Sequence, residues 1–218
     1  MSTEKENHGK DRDIMLYCMQ PCKGRKGEAM GDKKGLAMDL QQWGSALSGC
    51  ALPAWQDFPG LPLYMDQVIY LLNHFLQGPL DPKGENQITP SMINNYVKLK
   101  IIPAPIKKRY GRAHLAYLTM VCLLKQSMST ADIRRLLPLN GDEDTVRDQY
   151  AAFCFAFRGA KEGFLRENKS AFDQTEDENA ARQAAFSAAA KAQLNMLLCA
   201  LLLPGEENPE RSHETGKG

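Results

Sequence analysis

The side chains whose types and spacing could do chemistry are amides, hydroxyls and cations within residues 89–112. Asn94 and Asn95 are adjacent, and an asparagine amide can present a paired donor and acceptor to the major-groove edge of adenine. Ser91 and Lys98 flank them at helical spacing, where a hydroxyl or an ammonium can reach phosphates or base edges. These residue types favour hydrogen bonding to nucleic acid over the making or breaking of covalent bonds.

A run of cations follows these polar residues. Lys107, Lys108, Arg109 and Arg112 lie within six residues, and residues 86–131 contain seven Lys or Arg and no acidic residue. Cations with no neighbouring carboxylate can release condensed counterions from a duplex, which is the main source of sequence-independent affinity. We therefore expect the polar helix to specify bases and the cationic run to hold phosphates.

The predicted DNA contacts combine both groups. The alternative interpretation is that these are ordinary solvated side chains, since most contacts in protein–DNA interfaces are not to bases. The acid-free run favours DNA contact. The predicted set is Ser91, Met92, Asn94, Asn95, Lys98, Lys100, Lys107, Lys108, Arg109, Tyr110 and Arg112.

Motifs of enzymes and metal sites do not accompany these residues. The sequence contains no Gly-rich phosphate loop, no H-E-x-x-H and no G-x-S-x-G, so we expect a non-enzymatic protein without a cofactor. Cys18 and Cys22 form a C-x3-C pair near His8. A structural zinc site needs a second ligand pair, so we expect no metal there.

The elements that must position the candidate residues are predicted to be helices. Thr89 is a favourable N-cap and Pro90 suits the first helical turn, so a helix starts there with Ile93 and Tyr96 on its buried side. The prolines in residues 102–105 must end that helix.

Further along the chain, residues 106–110 are predicted to be the extended arm of a wing or tight hairpin. Residues 112–126 are apolar on nearly every face, which is typical of a central buried helix. Ser129 and Asp132 have the spacing of a helix cap and predict one more helix. The fold class is therefore all-α.

Composition divides the chain into four parts. Residues 1–36 and 204–218 are polar and are predicted to be tails, because they offer too little apolar surface to offset ordering entropy. Residues 37–138 are predicted to form a helix-turn-helix domain with an N-terminal helical extension. Residues 139–203 are predicted to form a helical hairpin with a joint at 168–175, for dimerisation or for sensing an effector.

The C-terminal half differs in charge from the centre. Residues 142–214 carry 14 acidic and 8 basic side chains, a balance of −6. Four apolar residues there could line an effector pocket, although aromatic and methionine residues at helical spacing are usually core. These residues are Phe153, Phe157, Phe186 and Met196.

The six cysteines and the short apolar runs indicate a cytoplasmic protein that is not bound to a membrane. Most of the cysteines stand alone in apolar helical patterns, where a cysteine behaves as a small hydrophobic residue. The most apolar run, residues 194–203, has about half the length that spans a bilayer.

Residues 88–103 resemble the recognition segment of MerR-type regulators. In that family a small polar residue and a proline open the helix, an isoleucine and a tyrosine anchor it, and a hydrophobic pair precedes a proline-rich wing. More closely, residues 61–68, 92–98 and 107–110 and the pair His114-Leu115 are similar to the bacterial family catalogued as domain of unknown function 1836. This resemblance covers roughly residues 43–137.

The resemblance implies a MerR-like winged helix-turn-helix, double-stranded DNA as partner, a homodimer and a role in transcription regulation. Three departures prevent transfer of base preference and dimer geometry. Ser91 and Asn94 stand where MerR proteins carry DNA-contacting arginines, the loop between the first two helices is longer, and the usual Asn-Gly-Tyr-Arg turn is missing. The alternative function is a protein–protein interaction module that uses the same basic face.

Overall fold

The computed structural model describes residues 33–82, 86–137, 139, 142–174 and 177–203. This part of the chain is all-helical, as predicted, and contains no strand. Predictions for the Cys18/Cys22 pair, for most of the N-terminal tail and for the C-terminal tail lie outside the described residues. The helices are α1 (Lys33–Gly49), α2 (Met65–Leu76), α3 (Pro90–Lys98), α4 (Arg112–Leu124), α5 (Thr130–Leu136), α6 (Glu143–Glu167), α7 (Lys169–Gln174) and α8 (Glu178–Leu202).

Side-chain caps fix where several of these helices begin. Thr89 Oγ1 accepts a hydrogen bond from the Met92 amide at 3.3 Å, which starts α3 at Pro90. Ser129 Oγ accepts from the Asp132 amide at 3.1 Å and starts α5. Both predicted helix starts are confirmed. Asp142 caps α6 in the same way, through the Thr145 amide at 2.9 Å.

Helix α4 is the centre of the core. Eight consecutive residues, from His114 to Val121, are buried, so this helix has no solvent-facing side over most of its length. It packs against α2 on one side and α6 on another. The predicted central helix is confirmed.

The connector between α1 and α2 is held against the same core. Phe58 is 1% exposed, and its ring lies 5.3 Å from the ring of Tyr150 on α6. The Tyr150 hydroxyl donates to the Pro53 carbonyl at 2.7 Å. The core therefore continues past residue 138, the predicted domain boundary, into the first half of α6.

The C-terminal helices are packed unevenly. The sequence predicted a loop where α7 lies, and Phe172 on α7 packs on Trp43 of α1 with ring centroids 5.9 Å apart. Helix α8 is held by few contacts: Arg135 donates to the Leu203 carbonyl at 3.2 Å, and Lys191 pairs with Glu167 at 3.1 Å.

Most of the large apolar side chains on α8 are exposed. By length and mean hydropathy (1.4), α8 meets the criterion for a membrane-spanning helix, and none of its apolar window is buried. That criterion is weak support for a membrane segment, because core helices of soluble proteins also meet it.

Candidate nucleic-acid interface

The two sides of α3 differ as the sequence predicted. Ile93 is fully buried and Tyr96 is 4% exposed, so they anchor the helix to the core. Burial raises the pKa of Tyr96 to about 12. The opposite side presents exposed polar side chains, with Met92 half-buried between the two sides. The exposed residues are Ser91, Asn94, Asn95 and Lys98.

Helix α3 ends in a turn that places Lys100 outward. The Ile101 amide donates to the Tyr96 carbonyl and the Lys100 amide to the Val97 carbonyl, both at 3.0 Å. This is the Schellman pattern, in which the residue after the cap adopts a left-handed conformation and is usually glycine. Here it is Lys100, with φ 52° and an exposed side chain.

Two further lysines adopt left-handed conformations at the tip of a hairpin. Ile106 and Arg109 exchange backbone hydrogen bonds of 3.1 and 3.0 Å. Lys107 and Lys108 between them have φ 51° and 63°. Positive φ at both central residues is the mark of a type I′ turn, which favours Asn-Gly. A tight hairpin is therefore present at residues 106–109, but Lys107 and Lys108 form its turn instead of the predicted extended arm.

These three lysines are the non-glycine residues with positive φ in the described part of the chain. Each such residue costs on the order of 1–3 kcal/mol and persists only where the surrounding structure imposes it. All three belong to the acid-free run and are exposed. Backbone strain is thus concentrated at the predicted phosphate contacts.

Two contacts attach the hairpin to the domain. Tyr110 and Leu63 form an antiparallel bridge with hydrogen bonds of 2.8 and 2.9 Å. The Arg109 guanidinium lies 4.6 Å above the centre of the Tyr64 ring and also donates to the Tyr64 hydroxyl at 2.7 Å. The Arg109 side chain is therefore positioned before any partner arrives.

Tyr110 does not lie on the candidate surface. Its side chain is 3% exposed, and its ring packs edge-to-face on His114 at 5.5 Å. Burial also raises the pKa of its phenol. Tyr110 anchors the hairpin instead, and its prediction as a DNA contact is wrong because the side chain is buried.

His114 joins the loop after α3 to the start of α4. Its Nδ1 accepts from the Gly111 amide at 3.1 Å, so the proton of the neutral ring lies on Nε2. Nε2 then donates to the Ala104 carbonyl at 3.2 Å. Burial lowers the pKa of His114, against the opposing effect of the Ala104 hydrogen bond. The uncharged imidazole is the form that fits this site.

A groove of about 690 Å³ opens beside the hairpin. Its walls include Lys107, Arg109 and Arg112 from the basic run, and also Glu143 from the first turn of α6. One carboxylate therefore borders the groove that these cations line, although no ion pair within 4.0 Å joins it to them among the described residues. The acid-free run ends at residue 131 in the sequence, but the fold brings α6 back against it.

Arg134 is a cation that the sequence analysis missed. It lies on α5, outside the acid-free run, and its Nη2 donates to the Leu99 carbonyl at the end of α3 at 2.9 Å. Arg134 thus adds a positive charge near Lys98 and Lys100. The two arginines in the last turn of α5 were visible in the sequence, but their distance from α3 was not.

Two of the four residues that were predicted to line an effector pocket border one apolar groove. Phe153 and Phe157 line a groove of about 500 Å³ together with Trp43 and Phe164. Phe186 does not line this groove and is 70% exposed on α8, and Met196 packs against the core. The apolar groove therefore lies between α1, α4 and α6 rather than between the C-terminal helices.

A protein-family model matches part of the chain. Residues 53–153 match the family described as Domain of unknown function (DUF1836). The matched segment runs from the connector before α2 into α6 and contains every candidate contact. The match supports the resemblance drawn from the sequence. Searches of curated proteins and of solved structures found no match.

The strained turn predicts a gain in stability when its lysines are replaced. Lys107→Asn with Lys108→Gly supplies the residues that a type I′ turn favours, so the free energy of unfolding should rise by about 1 kcal/mol. Urea denaturation measures this change. Lys107→Arg with Lys108→Arg keeps both charge and strain and should leave stability unchanged. An unchanged or lower stability of the Asn-Gly variant would contradict strain at the turn.

His114 predicts a pH dependence of stability. Its pKa in the folded protein lies below the ordinary 6.5, so the unfolded chain takes up the proton first as the pH falls. The stability contributed by His114 is full above pH 6.5 and is lost as the pH falls below it. His114→Gln can keep both hydrogen bonds without titrating. Denaturation at pH 7.5 and 5.5 should show a smaller loss for this variant, and an equal loss would contradict the assignment.

Proposed function

We propose that this chain, whose residues 53–153 match the DUF1836 family, is a DNA-binding transcriptional regulator of the cytoplasm with a MerR-like winged helix-turn-helix. In this proposal α3 enters the major groove of double-stranded DNA. The hairpin at 106–109 acts as the wing and contacts flanking phosphates. The proposed function is non-enzymatic and needs no cofactor.

The observation that carries the proposal is the placement of strained lysines. Lys100, Lys107 and Lys108 have positive φ and exposed side chains, where glycine or asparagine would be less costly. Strained backbone of this kind clusters at functional sites. A cation at the tip of a tight turn can reach a phosphate without steric hindrance. Phosphate binding would therefore account for lysines at these strained positions.

Base recognition is proposed for the exposed side of α3. Asn94 and Asn95 make no hydrogen bond to other described residues through their side chains, so both amides are free to bind a base edge. Ile93 and Tyr96 fix the rotation of the helix about its axis, because both are buried. The asparagines therefore keep one orientation relative to the core.

A homodimer is proposed through α8. Regulators of this type read two half-sites about one DNA turn apart, which requires two copies. The leucines of α8 at 194, 197, 198, 201 and 202 follow helical spacing and are 53–84% exposed. Phe186 and Leu194 lie equally far from Ala190, the midpoint of α8. An antiparallel pair of α8 helices would therefore pack each Phe186 on Leu194 of the second copy.

The alternative function is a protein–protein interaction module on the same basic face. One observation favours it: Leu61 and Ile106 are 77% and 73% exposed beside the hairpin. Phosphate contacts do not require apolar side chains there, whereas a protein partner would cover them. Leu61→Ser with Ile106→Ser should lower the affinity for a protein partner and leave the affinity for DNA nearly unchanged.

The DNA proposal is tested by salt-dependent binding. Lys107→Ala, Lys108→Ala and Arg109→Ala together should weaken binding to every duplex sequence, on the order of 100-fold at 0.1 M salt, and reduce the slope of log K against log salt by about 3. Asn94→Ala should instead change the ranking of sequences selected from a random pool. Fluorescence anisotropy with labelled duplexes measures both effects.

A matched control removes three cations from another part of the chain. Arg158→Ala, Arg166→Ala and Lys169→Ala lie on α6 and α7, away from the hairpin, and should leave the affinity and the slope nearly unchanged. Equal losses in the two triple variants would indicate a general charge effect and contradict the proposed wing. Binding that does not depend on salt would contradict phosphate contacts altogether.

The dimer proposal is tested by molar mass in solution. The wild-type chain should have twice the monomer mass of 24.3 kDa. Leu197→Glu with Leu201→Glu should give the monomer, because association would remove carboxylates on the apolar side of α8 from water. Phe155→Glu changes an exposed apolar residue on α6 and serves as control. A monomeric wild type, or flotation of the chain with neutral liposomes, would contradict this use of α8.

A further inference from the structure

We infer that Glu143 determines where a nucleic-acid backbone can run on the basic face, because its carboxylate repels phosphate at one wall of the cationic groove. The inference rests on the proposed function and adds a residue that opposes binding to those that favour it.

The position of Glu143 follows from two neighbouring grooves. One is lined by Lys107, Arg109 and Arg112 together with Glu143. A second, of about 480 Å³, is lined by Trp55, Arg112, Glu143 and the start of α6. Arg112 and Glu143 line both grooves, so they lie where the two grooves adjoin.

The neighbouring carboxylates of α6 have structural partners, and Glu143 has none in the described part of the chain. Asp142 caps the helix through the amide and hydroxyl of Thr145, at 2.9 and 2.7 Å. These hydrogen bonds lower the pKa of Asp142. Asp144 pairs with Arg147 at 2.8 Å. The Glu143 side chain is exposed, so it is accessible to whatever enters the groove.

Arg112 does not neutralise Glu143. The two residues share both grooves, yet no ion pair within 4.0 Å joins them among the described residues. Arg112 Nε instead donates to the Phe58 carbonyl at 3.0 Å. A phosphate approaching this end of the groove therefore meets an unpaired carboxylate. A repulsive charge of this kind discriminates against poorly placed partners more than it changes the correct complex.

The experiment compares Glu143→Gln with Glu162→Gln. Glu162 is an exposed residue of the same helix, about 28 Å further along its axis, so its loss changes net charge equally without altering the groove. Glu143→Gln should bind a mixed-sequence duplex about threefold more tightly at low salt, the effect of removing one like charge at about 6 Å in water. The gain should disappear towards 1 M salt.

Elution from a heparin column provides a second readout that does not depend on DNA. Glu143→Gln should elute at higher salt than Glu162→Gln, and Glu143→Lys later still. If both glutamine variants behave alike on DNA and on heparin, the inference is overturned. The wild type could fail to bind DNA while Glu143→Gln still elutes from heparin at higher salt than Glu162→Gln. The proposed function would then fail, but the repulsion of anions by Glu143 would be supported.

Discussion

Burial of α4 on every side is the constraint on which the rest of this structure depends. Each large apolar side chain that α4 removes from water contributes about 1.5–3 kcal/mol, but only if other elements cover it. Helices α2 and α6 pack against it, and the buried sides of α3 and α5 complete the core. Because Ile93 and Tyr96 are buried in this core, the opposite, polar side of α3 has to face solvent. The exposed asparagines are therefore a consequence of how α4 is enclosed.

The start of α4 also controls the hairpin. His114 links the Gly111 amide to the Ala104 carbonyl, and Tyr110 packs on its ring. The loop after α3, the hairpin and the first turn of α4 are therefore one connected unit. Held in this unit, the turn of Lys107 and Lys108 can keep a conformation that lysine avoids in a free chain. The core thus stabilises a strained and strongly cationic surface at its edge.

Much of this arrangement could be predicted from local sequence. The remainder could not, because it depends on contacts between residues that are far apart in the sequence. Two helix starts depend on cap hydrogen bonds from Thr89 and Ser129 to the third residue along the chain, and Pro90 suits the first turn of α3. These starts could therefore be predicted from local spacing alone. The buried helix α4 was predicted by its apolar residues on all faces. Arg134 and Glu143 reach the site from other helices, and no periodicity reveals such proximity. Tyr110 was predicted to be a contact because it directly follows three cations. Its side chain instead packs on His114 and is buried. The short helix α7 was missed because six residues carry too little pattern.

The central claim is that the exposed side of α3 and the hairpin contact the same duplex. Amide NMR spectra of the protein, recorded while a 16-base-pair mixed-sequence duplex is added, test this most directly. The account predicts that the largest chemical-shift changes fall on Ser91, Asn94, Asn95 and on Lys107, Lys108 and Arg109. Residues of α8 and of the groove around Trp43 should change little. Shifts confined to α8, or to only one of the two basic elements, would contradict the account.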